Sequence, residues 1–351
     1  MAKILYGVCG EGLGHASRSR ILINHLQKNH EIKIAAGGKA YTLLSKNFKD
    51  VQKIQSPHFM YKKGQVRLLY SILKILYQTM VATPKSLLMI RKTIKEFKPD
   101  VILTDADPIT YNLALLKKLP RISIDNPQAI IYRKYKVKTS EFWPWFALVL
   151  ACKIAAFNAD KYVIYDFSEK RSTNKKVIFL KPLIQQGILH EKPKEKHHIF
   201  VYQTSQSTEF ISEILKKIDE KFIIYGFAKN QKENNLIFKK FNENEFYQDI
   251  AHSKAVITNG GFTVLSEALY LKKPIFTIPI KRQFEQVLNG KFIENLGVGV
   301  SCSHVNEKNL TNFLRNLDTY KAKLKTYDPG NQNETLRIIE HEIQVAIKTR
   351  Q

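Results

Sequence analysis

The sequence predicts an α/β protein built as two Rossmann-like, doubly wound domains facing a cleft. Short apolar runs that end in glycine- or acid-containing turns alternate with runs of helical periodicity along the chain, the pattern of strands and helices wrapped on a parallel sheet. At 351 residues, 44% of them hydrophobic, the chain is long enough for two domains with sizeable cores. A proline- and charge-rich stretch near the middle, Lys181-Pro182-Leu183 through Lys192-Pro193-Lys194-Glu195-Lys196, reads as an interdomain linker. The expected organisation is a first domain over 1–182, a linker over 183–198, a second domain over 199–328 and a final helical segment over 329–351.

Taken in order, Lys3 to Val8 is a strand of the buried type, and Gly10-Glu11-Gly12-Leu13-Gly14-His15 leads from it into an amphipathic helix with Ile21, Leu22, His25 and Leu26. The loop spacing is G-x-G-x-G rather than the G-x-G-x-x-G of a dinucleotide site. The next strand, Glu31 to Ala36, ends in Gly37-Gly38 where such a site needs an acid, so NAD binding is not predicted. His15, following Gly12 and Gly14, can do chemistry, because a neutral imidazole accepts a proton near pH 7. A histidine that caps or packs a helix start fits the same place.

Between Val51 and Pro99 there are ten Lys and Arg and a single acid, Glu96. Leu69, Ile72, Leu73, Leu76 and Met80 form a helical stripe there, interleaved with Arg67 and Lys74 and continued after Pro84 by Leu87, Leu88 and Ile90. That face suits a helix lying on anionic lipid, and equally a core-facing helix with a solvated rim. The strand at Val101 to Asp105 ends in Asp105-Ala106-Asp107-Pro108. A carboxylate at a strand's carboxyl end can face the glycine loop and hold His15 in the tautomer a base requires, which suits Asp105, whereas Asp107 suits the N-cap of the helix near Ile109. Arg121 to Ile124 runs into the polar loop Asp125-Asn126-Pro127-Gln128, of the kind that meets a ligand. Arg133, Lys134, Lys136 and Lys138 then precede Phe142-Trp143-Pro144-Trp145-Phe146, which fits an interfacial anchor, an acceptor cleft or buried packing. Strands at Lys161 to Tyr165 and Lys176 to Leu180 close this half.

The second half opens with a strand at Ile199 to Tyr202 and the hydroxyl- and amide-rich loop Gln203-Thr204-Ser205-Gln206-Ser207. A strand at Phe222 to Tyr225 follows, then a short helix around Phe246 that could wall a nucleotide base. Val256-Ile257-Thr258 is an apolar strand, Asn259-Gly260-Gly261 a turn, and from Phe262 or Thr263 the residues Val264, Leu265, Ala268 and Leu269 repeat at helical spacing. A strand passing through two glycines into a helix aims the first helical amides at the turn and lets an oxyanion approach closely, making a pyrophosphate seat. Glu267, a turn further on, can accept hydrogen bonds from ribose hydroxyls, although a solvated glutamate is the commoner case. After the strand at Pro274 to Ile280 comes Gln283 to Asn289, whose acid-amide pair Glu285-Gln286, at the carboxyl end of the sheet, suits sugar hydroxyls. Leu336, Ile339, Ile343 and Val345 to Ile347 describe a last helix.

The run Asn259-Gly260-Gly261-Phe262-Thr263-Val264-Leu265-Ser266-Glu267-Ala268, with Pro274, Pro279 and Glu285-Gln286-x-x-Asn289, resembles the donor signature of inverting GT-B glycosyltransferases. It is most similar to those of the peptidoglycan N-acetylglucosaminyltransferase and UDP-glucuronosyltransferase type. The resemblance implies that Gly261 and Thr263 hold the pyrophosphate, Glu267 the ribose and Glu285 with Gln286 the sugar, with Gly260, Phe262, Val264 and Asn289 also in the donor site. It implies His15 as general base, Asp105 as its partner, and nucleotide contact from Ser205, in a loop without the glycines usual there. A nucleotide-sugar, UDP by resemblance, is then a substrate, with no cofactor and no metal, and the last helix crosses back onto the first, acceptor-binding domain.

The three cysteines, Cys9, Cys152 and Cys302, lie too far apart for a disulfide framework or a zinc site, and no signal peptide or spanning segment is read from the sequence. A cytoplasmic chain, peripheral on the inner face of the membrane, is expected. Charge is lopsided, with 32 Lys and Arg against 12 Asp and Glu over 1–182 and 24 against 19 in the remainder. Such a field attracts anions: an anionic membrane surface, a charged glycan or lipid-linked acceptor, or nucleic acid. A basic nucleic-acid-binding protein would leave Glu267 and Glu285 beside a glycine turn unexplained, whereas a nucleotide-sugar epimerase or hydrolase would use the same donor site.

Overall fold

The computed structural model describes residues 1–55, 61–62, 65–66, 83–133, 135–168, 172–194, 196–203 and 208–349. They separate into two units, one drawn from 1–60, 67–183 and 330–351, the other from 61–66 and 184–329. The helical stripe from Leu69 to Met80 and the loop residue Ser205 lie outside the described residues.

In the first unit β1 (Lys3–Val8), β2 (Glu31–Ala36), β3 (Val51–Lys53), β6 (Val101–Asp105), β7 (Arg121–Asp125), β8 (Lys161–Tyr165) and β9 (Val177–Leu180) form a sheet in the order β3-β2-β1-β6-β7-β8-β9. Every pairing in it is parallel. A separate antiparallel hairpin, grouped with the second unit, joins β4 (Tyr61–Lys62) and β5 (Gln65–Val66). A parallel sheet is covered on both faces, so its strands are apolar almost throughout, as Ile4, Leu5, Val101, Ile102 and Leu103 show by complete burial. Around it lie α1 (Gly14–Leu26), α2 (Gly38–Leu44), α3 (Thr83–Phe97), α4 (Pro108–Leu116) and α5 (Phe142–Ala155). Helix α3 sends Ile90 into the core beside Leu5 and Ile102, with Leu87 and Met89 packed against that cluster, so this part of the basic segment is a core-facing helix. Asp107 accepts from the amides of Ile109 (3.4 Å) and Thr110 (2.9 Å) and caps α4, whose Pro108 supplies no amide to satisfy.

The last helix, α12 (Gln332–Lys348), belongs to the first unit, where it packs on α1 and on β6, β7 and β8. Its N-cap Asn331 accepts from the Asn333 and Glu334 amides, and its apolar stripe, Leu336, Ile339 and Ile343, is buried. Glu340 fixes its rotation by accepting from His25 Nε2 (3.1 Å), His30 Nε2 (3.3 Å) and Asn29 Nδ2 (3.3 Å). Burial opposes the Glu340 charge, but the hydrogen bonds from Asn29, His25 and His30 outweigh it and hold the carboxyl below the ordinary glutamate range. A depressed carboxyl contributes stability above its unfolded pKa and loses it as pH falls through the folded value. Glu340→Gln is therefore expected to destabilise the chain by about 1 kcal/mol at pH 7, with the difference shrinking as pH falls below the ordinary glutamate range, as urea melts at several pH values would show.

The second unit repeats the plan. β10 (Ile199–Tyr202), β11 (Phe222–Tyr225), β12 (Gln231–Glu233), β13 (Leu236–Lys239), β14 (Val256–Thr258), β15 (Ile275–Thr277) and β16 (Gly299–Ser301) lie in the order β12-β13-β11-β10-β14-β15-β16, parallel except for edge strand β12. Helices α6 (Thr208–Leu215), α7 (Glu243–Ala251), α8 (Phe262–Tyr270), α9 (Phe284–Asn295), α10 (Glu307–Arg315) and α11 (Leu317–Thr326) accompany it, and Val201, Phe222, Ile257, Phe276 and Phe313 share one core. The stretch 183–198 contains the short helix Gln186–His190, and from Ile184 it is grouped with this unit. In both sheets the chain winds outward first to one side and then to the other, so the strand order reverses between β1 and β6 and between β10 and β14. Crevices at such reversals, outside the carboxyl ends of the strands, are where open α/β sheets bind ligands.

Candidate active site

At the first reversal Val8 of β1 pairs with Asp105 at the end of β6. Gly10 makes the exit from β1 possible: a Cβ there would fall 2.6 Å from the Gly37 carbonyl carbon, so the two glycine turns of this edge need each other's lack of a side chain. The chain turns through Gly12, at φ +75°, and α1 begins at Gly14, which puts His15 in its first turn. His15 Nδ1 lies 2.7 Å from Asp105 Oδ1.

Arg18, one turn along α1 on the same face, grips that carboxylate with two donors, Nε to Oδ2 (2.6 Å) and Nη2 to Oδ1 (2.5 Å), and Ser19 Oγ donates to Oδ2 (3.2 Å). Asp105 is completely buried. Burial opposes its charge most strongly, yet the Arg18 guanidinium and His15 together hold the carboxyl below the ordinary aspartate range. Arg18 Nη2 also stands 2.6 Å from His15 Nδ1, but its hydrogen and that of Nδ1 both have the anionic Oδ1 as the better acceptor. The ionised carboxylate therefore selects the tautomer with the proton on Nδ1, leaving Nε2 as the basic nitrogen. A carboxylate, an imidazole and a guanidinium so arranged can remove a proton and stabilise the imidazolium that results.

Asp125, at the end of the neighbouring β7, accepts from Ser123 Oγ (2.9 Å) and the Gln128 amide (2.9 Å). Burial, with the nearby charge of Asp105 adding to it, pushes its carboxyl up to about 6. Arg18 belongs to no motif read from the sequence, whereas Asp125 opens the polar loop expected to meet a ligand. The signal for Arg18 was its i+3 spacing from His15, and for Asp125 its place at a strand end, equivalent to that of Asp105.

At the second reversal, β14 passes through Gly260 at φ +90° into α8, whose N-cap is Gly261. Glycine at the N-cap brings no side chain of its own to the helix start, whose first amides point away from the helix body. Thr263 is half-buried in that turn, with Phe262 and Val264 buried on either side. Glu267 is 3% exposed, which removes the reading of a solvated surface glutamate. Burial and then the Glu267 charge raise the hydroxyl of Tyr202, at the end of β10, to about 12.

Gln286 Oε1 accepts from the Ile280 amide (2.9 Å), and Asn289 Nδ2 donates to the Gly260 carbonyl (3.0 Å). These two buried side chains tie α9 to the strand exit and to the glycine turn, while Glu285 stays half-buried in the first turn of α9. Phe246 is 4% exposed, packed edge-on against Phe200, Tyr202 and Tyr225 with centroids 5.0 to 5.4 Å apart, so its ring backs the strand ends. Among the described residues no cluster of three or more His, Cys, Asp or Glu is placed to hold a metal ion.

Two doubly wound units, one with a histidine and aspartate at its reversal and one with a glycine turn feeding a helix start, define a GT-B glycosyltransferase. A UDP-glucosyltransferase from Polygonum tinctorium superposes with a TM-score of 0.69 at 10% identity, covering 98% of each chain. The glycotransferase of kitacinnamycin does so at 0.66 and 13% identity, over 99% of this chain and 98% of that one. The family model for glycosyl transferase family 1 matches residues 2–318, and the chain belongs to that family. Curated relatives include an uncharacterized glycosyltransferase of Methanosarcina acetivorans, 26% identical over 86% of each chain. Another is the UDP-N-acetylglucosamine--N-acetylmuramyl-(pentapeptide) pyrophosphoryl-undecaprenol N-acetylglucosamine transferase of Thermosipho melanesiensis, 27% identical over 91% of this chain and 92% of that one.

Proposed function

We propose that this glycosyltransferase moves a sugar from a UDP-sugar to a hydroxyl of a glycan or lipid-linked acceptor at a membrane surface, inverting the anomeric carbon. The observation that carries the mechanism is the His15 imidazole held by a buried, ionised Asp105 at the reversal of the first sheet. In this reading His15 Nε2 takes the acceptor proton as the oxygen attacks the anomeric carbon, and Asp105 stabilises the imidazolium. Arg18 positions Asp105 and keeps it ionised. The charge that develops on the departing diphosphate falls on the helix start at Gly261 to Thr263, a role that amides and helix dipole can fill without a metal. Glu267 accepts from the ribose hydroxyls and Glu285 from the sugar, while Gln286, Asn289 and Phe246 hold the loop and strand ends that shape the seat. The UDP and lipid-linked parts of the reading draw support from the names of the Polygonum and Thermosipho proteins.

The donor half is tested by calorimetric titration with UDP, GDP and dTDP. UDP should bind selectively, and Glu267→Ala, by removing a charged acceptor, should weaken it by about 10- to 100-fold. Equal binding by the variant would remove Glu267 from the site, and failure of every nucleoside diphosphate to bind would overturn the donor assignment.

A further inference from the structure

Helix α5 carries chemistry that the transfer reaction does not use. Phe142–Ala155 contains no acid and a single base, Lys153. A helix this apolar on all sides is ordinarily buried on all sides. In α5 only Cys152 and Ala155 are buried. Away from them Trp143, Phe146, Leu150 and Ile154 recur at three- and four-residue spacing, a single stripe along the helix, and all four are exposed, Trp143 by 67% and Ile154 by 55%. Phe142, stacked on Phe146 at 6.2 Å, and Phe157, 62% exposed just past the helix end, lengthen the stripe. Scattered single exposures need no explanation, but a contiguous aromatic and aliphatic face does.

The helix is anchored from its inner side. Gln128 Nε2 donates to the Cys152 carbonyl (2.9 Å), Asn112 Nδ2 to the Ile154 carbonyl (3.2 Å) and the Tyr111 hydroxyl to the Phe157 carbonyl (2.7 Å). Exposed lysines accompany the stripe in the sequence: Lys153 on the helix, and Lys136 and Lys138 in the segment leading into it. Lys117 is also exposed, next to the 77% exposed Leu116 one turn beyond Asn112. All of this lies in the half of the sequence with 32 bases against 12 acids.

We propose that the α5 stripe is a docking face for an anionic lipid bilayer, entering the boundary between headgroups and acyl chains while the accompanying ammonium groups meet the phosphates. Aromatic rings favour that depth, and lysines add attraction to anionic headgroups. A second copy of the chain fits less well, because a twofold contact would set the same lysines against one another. The inference names the surface behind the membrane part of the proposed function but rests on α5 alone.

Both tryptophans of the chain, Trp143 and Trp145, lie on α5, so intrinsic fluorescence reads this helix directly. The full chain is mixed, without nucleotide, with vesicles of phosphatidylglycerol and phosphatidylcholine in equal parts, or of phosphatidylcholine alone. On the mixed vesicles the emission should move to the blue and be quenched by brominated acyl chains, with binding at least about 10-fold weaker on phosphatidylcholine alone. Leu150→Ser with Ile154→Ser should lower binding by about 10-fold or more, and Lys136→Glu with Lys138→Glu should act in the same direction. Melting should not change, since these side chains are exposed. Unchanged emission of the folded wild type with mixed vesicles would overturn the proposal, and so would full binding by the serine variant. A dimer in vesicle-free sedimentation that the serine substitutions dissolve would assign the face to a second copy instead. The nucleotide titrations contain no vesicles, so failure of the donor site and failure of this face are read separately.

Discussion

His15→Ala should lower turnover by roughly 10²- to 10⁴-fold while nucleotide affinity stays within about twofold of wild type. The expectation follows from the division of labour in the proposed reaction. His15 belongs to the first unit and the nucleotide seat to the second, so the substitution removes proton transfer and leaves the glycine turn, Glu267 and Glu285 untouched. Asp105→Asn is the sharper companion. It keeps size and hydrogen bonding, but an amide that turns its N–H toward Nδ1 selects the tautomer with the proton on Nε2, where the base must be empty. Turnover should fall by a comparable factor, and Asp105→Asn in the His15→Ala background should cost almost nothing more, since residues acting as one unit are not additive. Release of UDP from the donor selected by titration, with a lipid extract as acceptor, measures all three. Wild-type turnover in His15→Ala would remove the histidine from the chemistry and leave it as a helix-start residue.

Much of this arrangement is legible in the sequence, because it is written in local terms. A strand, a pair of glycines and a helix start are adjacent in sequence at Val256 to Tyr270, so their geometry follows from backbone chemistry alone. Asp105 and Asp107 could be told apart by position, since the residue before a proline at a helix start caps it and the last residue of a strand faces the crevice. What stayed hidden depends on contacts between distant segments. Gln286 and Asn289 look like ligand groups by type, but their partners, the Ile280 amide and the Gly260 carbonyl, are fixed only when α9 folds back on the turn. Phe246 reads as a wall for a base until Phe200, Tyr202 and Tyr225 arrive from other strands to surround it. The aromatic run at Phe142 to Phe146 was compatible with burial or exposure, because an all-apolar helix has no polar face to mark the side left in water.

Arg18→Met should destabilise the chain by about 3–5 kcal/mol, because it leaves the buried Asp105 charge without its main partner. The pH dependence separates this cause from simple loss of packing. In the wild type the Asp105 carboxyl lies below its ordinary value, so its contribution is present above about pH 4 and is lost as pH falls through the folded pKa. Without the guanidinium, burial becomes the dominant influence and the carboxyl rises above the unfolded value. The folded state then holds a proton that the unfolded state has released, and stability falls as pH rises between the two values. The deficit of the variant against wild type should therefore widen as pH rises above the ordinary aspartate range (about 4) in urea melts, whereas a packing defect would be flat with pH. Activity should follow the same titration: below the raised pKa Asp105 is neutral, His15 loses the anion that sets its tautomer, and turnover falls even though the imidazole is intact. Arg18→Lys, which restores a charge but not the two-donor grip, should recover part of the stability and less of the turnover, since neutralising Asp105 needs only a cation, while orienting its Oδ1 toward His15 needs the fork.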